Sequence, residues 1–139
     1  MKYLSYGSNL NLEQMKLRCP QAKPLGKILI PNFRLVFRGV ADVEQIEGFK
    51  CPMGVWDITK DCEKSLDVYE GYPNLYSKIF FKLNGELAMT YVMNTNRVAP
   101  PSKHYFNCIE EGYDDFSLEK KYLFEAKERS YKESDFTLL

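Results

Sequence analysis

What the sequence lacks narrows its chemistry before any motif is read. Its only histidine is His104, and its four cysteines, Cys19, Cys51, Cys62 and Cys108, contain no Cys-x-x-Cys pair. A zinc site would have little to use, and no metal is expected. Neither sign of charge is in excess, since 19 Lys plus Arg balance 19 Asp plus Glu. Nucleic-acid binding draws most of its affinity from phosphate neutralisation, so it is disfavoured here, as is attraction to an acidic membrane. No apolar run approaches the length of a transmembrane helix. Met1-Lys2-Tyr3 is followed by Ser5, Gly7 and Ser8, where a signal peptide would need a continuous apolar region. A cytoplasmic protein with reduced cysteines is therefore the expectation. Internal repeats and low-complexity linkers are also missing, and 139 residues suit one domain with one core.

Tyrosine, by contrast, is plentiful. There are ten among an aromatic content of 14%. Each brings an apolar body and a polar tip, so the surplus suggests a lined pocket as well as a packed interior.

The most informative stretch is Lys2-Tyr3-Leu4-Ser5-Tyr6-Gly7-Ser8-Asn9-Leu10, where an alternating, strand-like segment runs into a turn and then a helical pattern. A glycine here lets a ligand approach the main chain closely or lets the turn take positive φ. Ser8 and Asn9 are capping residue types, and the first N–H groups of a helix have no partners within it. Converging donors of this kind make an anion site suited to a carboxylate or a phosphate. An ordinary strand-to-helix turn would read the same way.

Further along, Asn9 or Asn11 can cap a short helix through Arg18, ended by Pro20 and Pro24. Lys27 to Phe37 alternates as a strand, whereas Gly39 to Lys50 is polar and glycine-flanked and reads as a loop or weak strand. Cys51 to Ile58 is a second strand. Thr59 caps a helix over Lys60 to Glu70, which Gly71 and Pro73 stop. Strands at Tyr76 to Leu83 and Glu86 to Met93 flank Asn84-Gly85, a strong hairpin signal. Ser102 opens a helix closed by Gly112, and Ser117 opens another that contains Leu118, Tyr122 and Ala126. Residues 1–126 form the expected domain, with 127–139 a charged tail that frays or lies along the surface. The fold class is α+β, a small mixed-sheet, partly closed barrel with surrounding helices.

Glu70 is out of place. It occupies the last turn of its helix, where the dipole favours a cation. That field, and burial beside Tyr69, Tyr72 and Tyr76, would raise its pKa toward the range of a general base. A solvated Glu at a frayed helix end is the plainer reading. Asp67 lies three residues earlier and can face the same side, though a capping or structural role suits it better. His104 reads as exposed, and Cys62 as a buried thiol.

Tyr6-Gly7-Ser8-Asn9-Leu10, Gly54-Val55-Trp56 and Leu66-Asp67-Val68-Tyr69-Glu70-Gly71 resemble, in order and approximate spacing, the γ-glutamylcyclotransferase or AIG2-like family. Tyr91-Val92-Met93 and Ala99-Pro100-Pro101-Ser102-Lys103-His104-Tyr105 are similar to that family's eukaryotic enzymes. The resemblance runs from Tyr3 to about Ala126. It implies a small mixed β-barrel with helices around it, and conversion of a γ-glutamyl compound to 5-oxoproline plus a free amine without metal or cofactor. It further implies Glu70 as general acid/base, the Tyr6 to Leu10 turn as the cradle of the glutamyl moiety, and Tyr76, Tyr91 and Tyr105 as pocket walls. The expected partner is a small γ-glutamyl substrate, and the expected state a monomer or homodimer. The alternative is a non-catalytic binding or regulatory module that retains the pocket.

Overall fold

Strand β1 (Lys2–Ser5) is the spine of the molecule, because it pairs on both sides: antiparallel with β3 (Val40–Asp57) and parallel with β5 (Glu86–Met93). These features come from a computed structural model, which describes residues 1–136. Outside the central three strands lie β2 (Lys23–Arg38), antiparallel to β3, and β4 (Tyr76–Leu83), antiparallel to β5, so the order is β2-β3-β1-β5-β4. Four helices accompany the sheet: α1 (Leu12–Arg18), α2 (Lys60–Glu70), α3 (Lys103–Asp115) and α4 (Lys121–Phe136), with a 3-10 turn at Ser8–Leu10 between β1 and α1. The class is α+β, as expected.

The sheet does not close. Among the described residues no ladder joins the edge strands β2 and β4. Phe33 of β2 and Phe81 of β4 instead meet edge-on with ring centroids 5.4 Å apart, so side chains span the gap that a barrel would bridge with main-chain hydrogen bonds. The sheet is curled and open along that seam, a loose version of the expected partly closed barrel.

Local signals placed several elements well. Asn84 and Gly85 both take positive φ (50° and 82°), as the hairpin turn between β4 and β5 needs. Thr59 caps α2 by accepting from the Cys62 N–H at 3.1 Å, and Gly71 ends it in the left-handed region at φ 70°.

Elsewhere tertiary contacts overrode the local pattern. Gly39 to Lys50, expected as a loop or weak strand, supplies the first part of β3 from Val40 on: Val40–Gln45 and Lys50 pair with β2, with a register shift between them opposite Asn32. Gly39, at φ 81°, makes the reversal, and cross-strand ion pairs of Arg38 with Asp42 and Arg34 with Glu44 account for the polar composition. Gly112 does not close α3, which runs on to Asp115; a bare helix surface is needed there because the Leu10–Asn11 backbone packs onto it. Ser117 opens no helix: at φ 55° it follows α3, its N–H bonded to the Asp114 carbonyl at 3.1 Å, and α4 begins at Lys121.

The helix α4 passes through residue 126 without a break. Arg129 donates to the Leu35 carbonyl of β2 at 2.8 Å, and Ser130 is buried. Residues 137–139, the end of the expected tail, lie outside the described residues.

The cysteines are not all thiols. Cys19, just past α1, and Cys62, in the first turn of α2, form a disulfide with Cα atoms 5.2 Å apart. The packing of α1 on α2 creates this pair across 43 residues of sequence, a proximity that no local spacing reveals. Cys51 and Cys108 remain free.

Candidate active site

The chain leaves β1 at Ser5 and turns at Gly7, whose backbone lies at φ −121°. The turn does not use positive φ at Gly7; the missing Cβ instead makes room for protein neighbours. A Cβ on Gly7 would stand 3.1 Å from the Ala41 side chain and 3.4 Å from the Tyr105 hydroxyl. Asn11 caps α1, accepting from Gln14 N–H at 3.2 Å. Asn9 is thereby released for other work. Its Nδ2 donates to the Tyr3 hydroxyl at 2.9 Å and to Glu70 Oε1 at 3.2 Å, while its Oδ1 accepts from Arg18 Nη1 at 2.6 Å.

A cavity of about 270 Å³ opens beside this turn. Gly7, Ser8 and Asn9 form one wall, Glu70 another, and Tyr3, Tyr6, Tyr76, Tyr91 and Tyr105 the interior. Tyr6 donates to the Tyr91 carbonyl at 2.5 Å, and Tyr91 in turn donates to Asp67 Oδ1 at 2.6 Å. Tyr76 donates to the Ala41 carbonyl at 3.2 Å, while Tyr105 accepts from the Ala41 N–H at 2.9 Å. Burial pushes the hydroxyls of Tyr3, Tyr6, Tyr76, Tyr91 and Tyr105 up, so all five are neutral donors and acceptors.

Glu70 is the ionisable group of this cavity that titrates near neutrality. Burial pushes its carboxyl up to about 7, against the opposing pull of the Arg18 charge and the Asn9 hydrogen bond. Burial is the main cause, and Tyr69 and Tyr76 are among the walls that supply it, whereas Tyr72 stacks on Lys78 with the ammonium 4.2 Å from its ring centroid. Asp67 accepts from Tyr91 and pairs with Lys78 at 2.9 Å, and so fixes a wall.

A family model described as Gamma-glutamyl cyclotransferase, AIG2-like matches residues 3–113. The chain belongs to that family. Among curated proteins it is 28% identical over 153 residues to the gamma-glutamylcyclotransferase of Homo sapiens, covering 97% of this chain and 80% of that one. The Mus musculus protein of the same name is 29% identical over 138 residues, with 86% and 73% covered. A solved structure titled Gamma-glutamyl cyclotransferase superposes with a TM-score of 0.79 at 28% identity, over 91% of this chain and 85% of that one. YkqA from Bacillus subtilis shares the fold, with a TM-score of 0.74 at 21% identity over 94% of this chain and 54% of that one.

Of the residues singled out for the γ-glutamyl cyclotransferase site, Tyr6, Gly7, Ser8, Asn9, Glu70, Tyr76, Tyr91 and Tyr105 converge on the cavity. Leu10 does not. Its side chain is fully buried, and a Cβ on Gly54 or Gly112 would strike it at 2.8 and 2.5 Å, so it is a core residue beneath the turn. His104 is exposed on α3, and Cys62 is buried in its disulfide.

Sequence reasoning missed Tyr3 and Arg18. Tyr3 shares alternation with the core face of β1, and nothing local marks it as cavity wall. Arg18 lies at the far end of α1, where it donates to Ser8, Asn9 and Gln14 and covers the Tyr69 ring at 3.9 Å. The i,i+4 spacing of Gln14 and Arg18 is visible in the sequence, but it reads as an ordinary surface pair. Among the described residues no cluster of three or more His, Cys, Asp or Glu side chains converges as metal ligands would, and no helix is long and apolar enough to cross a membrane.

Proposed function

We propose that this chain is a cyclotransferase that converts a γ-glutamyl amino acid, peptide or amine to 5-oxoproline and the free amine, with Glu70 as general acid/base. The observation that carries this reading is Glu70 itself: a carboxyl that titrates at about 7, held by Asn9 at 3.2 Å on the rim of a cavity walled by Gly7 and Ser8.

The chemistry asks little of the protein. The α-ammonium of the substrate gives a proton to Glu70, and the freed amine attacks its own γ-carbonyl carbon. A C–N bond forms to close the five-membered ring, and the C–N bond to the leaving group breaks. Glu70 passes that proton to the departing nitrogen and then takes up the second proton that the attacking nitrogen sheds as the lactam forms. That second proton is handed on to the released amine, which leaves as an ammonium, and the Glu70 carboxylate is restored, so no water and no redox partner is consumed. Because the nucleophile is tethered, folding the substrate supplies the large effective molarity of an intramolecular reaction, up to ~10⁵–10⁸ M when well oriented. A base with a pKa near 7 combines proton affinity with availability at neutral pH. The Gly7–Asn9 backbone amides suit the α-carboxylate, and the Arg18 charge behind Asn9 favours an anion there. Tyr105 accepts from Ala41, which leaves its own proton to donate toward bound substrate.

The test is 5-oxoproline release from a panel of γ-glutamyl amino acids, γ-glutamylamines and glutathione, with wild type and Glu70→Gln side by side. Release that depends on Glu70 supports the reading. No release, with a panel member still raising the melting temperature, would replace it with a non-catalytic binding module.

A further inference from the structure

The interior of the cavity and its mouth differ in chemistry. Inside are the groups that suit a glutamyl moiety. At the mouth, three lining side chains are apolar and left in water: Val40 is 37% exposed, Tyr69 48% and Leu75 65%. Exposed apolar side chains gathered at one opening mark a binding surface more often than scattered ones do.

Each of the three is flanked by anchored groups. Leu75 lies over Gly71, where a Cβ would meet its Cδ1 at 2.9 Å, which places it beside Glu70 in the chain. Its N–H donates to the Gly71 carbonyl at 2.8 Å, and its carbonyl accepts from the Asn94 N–H at 3.0 Å. Val40 stands between Gly39, whose N–H donates to the Ala99 carbonyl at 2.8 Å, and Ala41, anchored by Tyr76 and Tyr105. The Tyr69 ring is clamped by the Arg18 guanidinium. A surface fixed in this way loses little entropy when a ligand covers it.

Charge is missing where a second carboxylate would want it. Glu70 is the only Asp, Glu, Lys, Arg or His among the described residues that line the cavity. The cations bordering the site are engaged: Arg18 with Asn9, Ser8, Gln14 and Tyr69, and Lys78 with Glu63 and Asp67.

From this geometry we infer that Val40, Tyr69 and Leu75 form the leaving-group subsite, and that it selects γ-glutamyl conjugates whose amine half carries an apolar side chain, without using a leaving-group carboxylate. The inference rests on the cyclotransferase reading above and specifies which amine departs.

The experiment measures kcat/KM for 5-oxoproline release from γ-glutamyl conjugates of leucine, phenylalanine, glycine, aspartate and lysine, and of isoamylamine, which is leucine without its carboxylate. Leucine and phenylalanine conjugates are expected to exceed the glycine conjugate by about tenfold, the worth of partly burying one apolar side chain. Aspartate and lysine conjugates should fall below glycine, and the isoamylamine conjugate should match leucine within about threefold. In Leu75→Ser the leucine-to-glycine ratio should shrink to about threefold. The subsite is overturned if glycine or aspartate equals leucine, if the isoamylamine conjugate falls far below leucine, or if Leu75→Ser leaves the ratio as in wild type. Absence of 5-oxoproline from every conjugate overturns the cyclotransferase reading, and the subsite with it.

Discussion

The Tyr6–Leu10 stretch has two sides built on opposite rules. On one side Leu10 is sealed in the core, with Gly54 and Gly112 pressed so close that neither could carry a Cβ without displacing it, and with the Phe116 ring also at Gly54. On the other side Gly7, Ser8 and Asn9 face a cavity that holds a half-buried carboxyl and five buried hydroxyls. The packed side positions the main chain, and the open side presents its polar atoms. Dense packing on one face is what lets the other stay unfilled and still keep its geometry.

The comparison is broken most severely from the open side. Glu70→Gln should cut 5-oxoproline release by about 10²–10⁴-fold, the usual contribution of a positioned acid/base, while the protein stays folded. A variant that lost its fold as well would show that Glu70 belongs to the packed side.

Substitution on the packed side should reverse that pattern. Gly112→Ala would gain up to about 1 kcal/mol in helix propensity, yet its Cβ would stand 2.8 Å from the Leu10 backbone carbon and 2.9 Å from the Asn11 nitrogen. Main chain cannot rotate away, so a net loss of about 3 kcal/mol is expected, read as a shift of the urea midpoint. Gly54→Ala meets side-chain atoms instead, Leu10 Cδ2 and Phe116 Cε2, each at 2.8 Å. Side chains can adjust, and a smaller loss of about 1–2 kcal/mol should result.

The smallest effect sharpens the comparison by tuning the open side. The acid limb of kcat/KM should rise with an apparent pKa of about 7, that of Glu70. Arg18→Gln removes a charge that holds this value down, so the limb should move to higher pH and turnover at neutral pH should fall. Stability carries the matching sign. The folded state binds the Glu70 proton more tightly than the unfolded chain, so this stabilisation is complete below the ordinary value of 4.5 and is lost as pH rises through about 7. Glu70→Gln should lack that dependence in melting curves taken across the same range.

Much of this was legible wherever the signal is local. The span of α2 follows from Thr59 and Gly71, the β4–β5 hairpin from Asn84-Gly85, and the position of Glu70 from a carboxylate at the wrong end of a helix. Where the physical cause lay elsewhere in the chain, the sequence misled. Gly39 to Lys50 reads as a loop or only a weak strand because its charges are visible and their cross-strand partners on β2 are not. Gly112 looks like a helix stop because Leu10, which needs a bare surface there, lies about a hundred residues earlier. The cysteines look like separate thiols because helix packing, and no motif, brings Cys19 to Cys62.

By itself the sequence determined the α+β class, most of the element boundaries, the family, and which carboxylate is unusual, since capping, turn chemistry and motif spacing act within a few residues. Tertiary structure alone decided that Tyr3 joins the tyrosines of the cavity, that Leu10 is core while its neighbour Asn9 is site, and that Arg18 reaches back to both Asn9 and Tyr69. The contacts that make the cavity join Tyr6 to Tyr91, Asn9 to Glu70 and Ala41 to Tyr105 across 85, 61 and 64 residues. Such pairings follow from how the sheet is ordered and how the β2–β3 hairpin bends to bring Asp42 against the Met93 N–H at 2.9 Å, neither of which any local stretch encodes.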